Sequence, residues 1–142
     1  SAKFAGQVLG EMGWLPERIQ AVQHCIHAHR FRHNREKPST LEAKVLFDAD
    51  KLDVIGAIGI ARTIAYGILK KAGAFTQPSK QFLKTGKTQA DEHHSVYHEY
   101  LFKLRKVKEN LYTTTGKQLA EGRHEFLQKF FSQLGAEMSG EL

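Results

Sequence analysis

The chain has 142 residues, 41% of them apolar, which is enough for one hydrophobic core and argues against global disorder. Its formal charge of +6 is spread along the sequence rather than gathered in a block, so it fits simple solubility as well as an anionic partner. The longest apolar run, residues 54–61, is far too short to span a bilayer, and the single cysteine, Cys25, excludes a disulfide within these residues and fits a reducing, cytoplasmic setting.

Ala2 to Met12 reads as helix, with Phe4, Ala5, Val8, Leu9 and Met12 recurring at i, i+3/i+4 as one buried stripe. Gly13 suits a left-handed stop, and Pro16 with Glu17 suits the first turn of a second helix predicted to reach about Phe31. The stripe of that helix, Leu15, Ile19, Val22 and Ile26, continues into His29 and His33, while His24 and His27 are predicted at the surface. Ser39, with Glu42 three residues on, has capping-box spacing and opens a third helix predicted from Thr40 to about Ala65, or as far as Lys70. Residues 73–89 read as a loop, long for a connection inside a domain and therefore mobile or a functional flap. A fourth helix is predicted from about Asp91 to Leu111, with His93, His94 and His98 as its solvated start. Thr115, with Gln118 behind it, caps a fifth helix from about Gly116 to Met138. Few segments alternate with period two, so the predicted class is all-α, in a single domain over residues 1–142.

The stretch DADKLDVIGAIGIAR, residues 48–62, sets three aspartates beside the most apolar segment. Carboxylates at the margin of a core are costly to desolvate unless a cation meets them. On a continuous helix, Ala43, Leu46, Phe47, Asp50, Asp53, Val54, Ala57, Ile58 and Ala61 share one broad face. Asp50 and Asp53 are therefore predicted to look inward and Asp48 toward solvent. Two acids a turn apart on such a face repel unless a divalent ion or an arginine shares them; pairing with a basic residue elsewhere is the plainer alternative. Gly56 and Gly59 point to close approach of another helix or ligand. Arg62, at the edge of the face, can pair with a carboxylate or clamp a phosphate. His29, followed by Arg30, Arg32 and Arg35, is the natural second group for an anionic substrate, against the plainer reading of a satisfied interfacial histidine. His29 and His33 also have the i, i+4 spacing of a zinc pair, which two histidines alone do not make specific.

The segments AVQHCIHAHRFRHN and PSTLEAKVLFDADKLDVIGAIGIARTIAYG, with the later TTTGKQLAEGRHEFLQKFF, resemble the HD-domain metal-dependent phosphohydrolases, and among them a bacterial branch with a DAD-x-LD-x-x-G-x-x-G-x-x-R element. The resemblance implies a helical bundle that holds a divalent metal (manganese, magnesium or another transition metal) through one His, an adjacent His-Asp pair and a distant Asp on a later helix. By motif match Asp50 is that distant Asp, His29 an additional active-site histidine and Arg62 the basic residue near the phosphate end, with Asp53 adjoining them. It implies hydrolysis of a small phosphorylated substrate, foremost a nucleotide. No His-Asp dipeptide occurs in the 142 residues. The expectation is therefore an HD-like bundle without its N-terminal helices, either because its other ligands lie upstream or because this is a shortened, non-catalytic relative. Apolar surface left uncovered in that way would invite homo-oligomerisation. On its own the chain is then expected to bind divalent metal weakly or not at all, its aspartates compensated by Arg, Lys or water. A reading from another class is a module for nucleic acid or another anionic partner, using residues 29–37 and 103–108, although these charges lack the regular aromatic interleaving of a base-stacking surface.

Overall fold

The structure is a computed structural model, and it describes residues 1–30 and 36–141. In chain order the helices are α1 (Ala2–Glu11), α2 (Pro16–Ala28), α3 (Leu41–Leu52), α4 (Gly56–Leu69), α5 (Lys80–Thr85), α6 (Val96–Phe102) and α7 (Thr114–Ser139). Two 3₁₀ turns, Leu104–Lys106 and Lys108–Asn110, lie between α6 and α7. No strand occurs among the described residues, in agreement with the all-α expectation. No single helix among them is long and apolar enough to cross a membrane. The chain divides into two compact units, residues 1–51 with 111–116, and residues 52–110 with those from 117 onward.

In the first unit, α1 packs on α2 through small residues rather than through its whole apolar stripe. Ala2 is buried and its carbonyl accepts the Gln23 side-chain amide at 3.1 Å. Of the predicted stripe only Ala5, Val8 and Leu9 are half-buried, and Phe4 and Met12 stand exposed. Pro16 opens α2 as predicted, because a residue without an N–H costs nothing where no carbonyl waits for it. The helix ends at Ala28 with His29 as its cap, earlier than Phe31. His33, Arg32 and Arg35 lie outside the described residues. His24, predicted at the surface, is instead largely covered. Its Nε2 accepts the N–H of Ser39 at 3.1 Å, so Nδ1 carries the proton it shares with Glu36. That latch occupies Ser39, and the cap of α3 falls one residue later, where the Thr40 hydroxyl accepts the Ala43 N–H at 3.2 Å.

The third predicted helix breaks in two. Residues 53–55 turn between α3 and α4, and Gly56 then takes φ +71, a conformation that strains any residue with a Cβ. A Cβ on Gly56 would also lie 3.0 Å from Cβ and Cγ of Arg123, while one on Gly59 would collide with the Val54 carbonyl. Both glycines thus serve close approach, as predicted, but the neighbours are α7 and the turn itself. Arg123 completes the turn by donating from NH1 to the Leu52 carbonyl at 2.7 Å, satisfying an orphan acceptor at the end of α3.

The predicted loop at 73–89 contains α5, whose N-cap Ser79 accepts the Phe82 N–H at 3.0 Å and whose Phe82 is buried. The predicted fourth helix is only α6, opened by a capping box between Ser95 and His98. The chain then tightens into 3₁₀ turns, where Leu104 and Val107 are buried at the three-residue spacing that geometry aligns. Helix α7 begins at Thr114, and Thr113 rather than Thr115 caps it, accepting the Gly116 N–H at 3.0 Å. In the second unit Phe131 of α7 is fully buried and stacks on Tyr100 with centroids 4.3 Å apart.

Candidate functional site

The aspartates do not face as the helix-wheel reading predicts. Asp48, expected in solvent, is 3% exposed, and Asp50, expected inward, is exposed. The buried positions of α3 are Ala43, Phe47, Asp48, Lys51 and Leu52, a stripe rotated by one residue from the predicted one. The cause is hydrogen bonding. The Asp48 carboxylate accepts the N–H groups of Tyr112 at 2.9 Å and Thr113 at 2.7 Å, and the Thr113 hydroxyl at 2.6 Å. These donors stand at the start of α7, where unpaired N–H groups and the helix dipole favour a carboxylate.

Lys51 is buried too, and it organises the functional candidates of the first unit. Its stem passes the Phe47 ring with Nζ 4.9 Å from the centroid. Nζ then donates to Asp50 Oδ2 at 2.6 Å and to the His29 carbonyl at 3.0 Å. The ends of α2 and α3 are thereby joined at the two residues that the motif singles out. His29 is half-buried, and its Nδ1 lies 2.7 Å from the Ile26 carbonyl. A carbonyl can only accept, so Nδ1 carries the proton and Nε2 is the basic nitrogen of the neutral ring.

In the second unit Asp53 and Arg62 form a pair of their own. Arg62 NH1 donates to Asp53 Oδ2 at 3.2 Å, and both side chains are 60% exposed, so Asp53 does not look inward either. An exposed pair of this kind contributes little to stability and leaves the guanidinium free to exchange partners. Asp50 and Asp53 are each paired with a cation, Lys51 and Arg62. Among the described residues no group of three or more His, Cys, Asp and Glu comes together to hold a metal. Asp50 by itself does not make the three- or four-ligand site that a transition metal needs, so these residues do not fit a metal on their own.

The histidine cluster holds the polar centre that the sequence reading missed. His98 is completely buried rather than solvated. Its Nδ1 accepts from the Ser95 N–H at 3.3 Å and pairs with the Ser95 hydroxyl at 2.8 Å, so Nε2 donates to Glu92 at 2.9 Å. Serine, histidine and glutamate in this order have the connectivity of a nucleophilic triad, but Ser95 is 1% exposed and its oxygen also accepts the Thr76 N–H at 3.1 Å. No substrate reaches it, and the network is structural. Burial pushes the Glu92 carboxyl up, but His98, the hydroxyl and N–H of Ser79 and the N–H of Gln89 outweigh that and hold it at about 2. The signal was local: a Ser-x-x-His spacing of capping-box type, with a glutamate just before it.

No family model matches the sequence. The chain is 33% identical over 127 residues to the uncharacterized protein YpgQ of Bacillus subtilis, covering 87% of this chain and 55% of that protein. It therefore spans just over half the length of this curated relative. The crystal structure of YpgQ matches 99% of this chain and 65% of its own with a TM-score of 0.74 at 31% identity, and its complex with ADP matches with a TM-score of 0.72. The structure of an HD-superfamily hydrolase from Bacillus thuringiensis matches with a TM-score of 0.66 at 30% identity, over 97% of this chain and 62% of that one.

Proposed function

We propose, for a chain that belongs to the HD-domain superfamily, that the intact protein is a metal-dependent phosphohydrolase acting on a nucleotide or another small phosphorylated compound. The observation that carries this reading is the Lys51 bridge, which sets the Asp50 carboxylate of the DADKLD segment beside the end of α2 that bears His29. Asp50 supplies one carboxylate toward a divalent ion, and the remaining ligands come from parts of the intact protein other than the described residues. His29, its Nδ1 committed to the Ile26 carbonyl, keeps Nε2 available to accept a proton or to hold a substrate donor. Arg62 can exchange the carboxylate of Asp53 for phosphate oxygens, which present the same acceptor geometry to its fork. The nucleotide class is supported by the ADP in the YpgQ crystal. The test is phosphate release by the intact protein with Mn²⁺ or Mg²⁺, across nucleoside di- and triphosphates and phosphomonoesters. Turnover of at least one nucleotide is expected, and inactivity toward the whole panel would sink the proposal.

A further inference from the structure

A cavity of about 620 Å³ opens in the second unit, lined by Lys70, Lys71, Ala72, Gly73, His93 and His94. Its size lies in the range of small-molecule sites. Two lysines and two histidines line it, and no acidic residue does. Neither lysine has a carboxylate partner among the described residues; Lys70 Nζ rests 5.7 Å over the Tyr66 ring. Glu99 lies 4.0 Å from His94.

A second observation concerns the backbone. Helix α4 ends in a left-handed residue, with the Ala72 N–H returning to the Gly67 carbonyl at 2.8 Å. Glycine is the default for such a stop, and the other positive-φ residues described are glycines, yet this one is Lys71, at φ +58. The helix dipole favours a cation in the last turn, but Lys70 already meets that preference and does not require a strained lysine beside it. Strain held at a residue that lines a cavity points to a task for that residue. The walls are fixed as well. The Gly73 and Ala74 carbonyls accept the Val96 and Tyr97 N–H groups, each at 3.0 Å, and His93 and His94 stand between the locked residues Glu92 and Ser95.

We propose that this cavity binds a di- or triphosphate group, with Lys70 and Lys71 contacting its oxygens from one wall and the ring N–H groups of His93 and His94 from the other. The site does not rest on the hydrolase reading, because it uses none of the same residues. The test titrates inorganic pyrophosphate into the full chain at low ionic strength, following Lys71 and the two histidine rings by NMR. Lys71→Gly removes a cation and relieves the backbone, so it should raise the Tm while weakening pyrophosphate about fivefold or more. His93→Ala should also weaken binding, and Lys3→Ala, at an exposed position of α1, should not. No binding up to about 10 mM, or an affinity that Lys71→Gly leaves unchanged, would overturn the proposal. A mixed-sequence oligonucleotide forms the other arm: if it bound far more tightly than pyrophosphate and depended on Lys71, the occupant would be a nucleic-acid backbone and the small-ligand assignment would fall.

Discussion

Asp48→Ala is the substitution that most sharply separates the structural acid of the motif from the candidate functional one. The wild-type carboxylate is 3% exposed and accepts three hydrogen bonds, at 2.6, 2.7 and 2.9 Å, from Thr113 and Tyr112. Each bond to a charged group contributes about 1.5–3 kcal/mol net, but Tyr112 and Thr113 are half-buried and regain some water when the acceptor goes. The losses therefore sum to less than their total, and about 3–5 kcal/mol is expected for Asp48→Ala. Asp48→Asn keeps one acceptor oxygen but turns an NH₂ toward a donor, which should cost about 2 kcal/mol. Asp50→Ala removes a half-exposed carboxylate with one contact to Lys51, at about 1 kcal/mol. Urea unfolding followed by far-UV circular dichroism measures all three, read as a change in midpoint at constant slope. Against an ordinary domain stability of about 5–15 kcal/mol, Asp48→Ala should be conspicuous. A cost below about 1 kcal/mol, or one no larger than that of Asp50→Ala, would refute the assignment of Asp48 as the anchor of α7.

Glu92→Gln tests the buried network through pH. The Glu92 carboxyl is held at about 2 in the folded chain, below its value of 4.5 when unperturbed, so its contribution is complete above about pH 4.5 and drains away as pH falls toward 2. The variant should be less stable than wild type at neutral pH, the gap closing over that acid window; a gap that stayed constant would contradict it. Gly56→Ala forces a side chain into φ +71 against Arg123 and should cost about 1–3 kcal/mol in thermal unfolding. An unchanged Tm would show that the turn between α3 and α4 accommodates a Cβ.

The all-α class and most helix starts were legible because apolar spacing, Pro16 and short-range caps are local signals. The facing of α3 was not. A helix wheel sends charge outward, whereas Asp48 and Lys51 are buried because each has a defined partner, Asp48 on residues more than sixty positions away in sequence. The break before α4 was hidden for a similar reason. Gly56 was visible as a weak helix former, but only Arg123 and the Val54 carbonyl packed around the turn explain why a glycine is needed there. His98 was misread because its neighbours are polar, although Ser95 stands three residues before it at capping distance. At the candidate site, the motif picked Asp50 and Arg62, and the structure supplies their partners, Lys51 and Asp53.

The most direct test of the central claim is metal-dependent phosphate release from a nucleotide by the intact protein, compared between wild type and Asp50→Asn at matched circular dichroism. Turnover should rise with Mn²⁺ or Mg²⁺ in the wild type and fall by about 100-fold or more in the variant, because the carboxylate proposed as a metal ligand would become a neutral amide. Turnover indifferent to added metal, or equal in the two proteins, would contradict it.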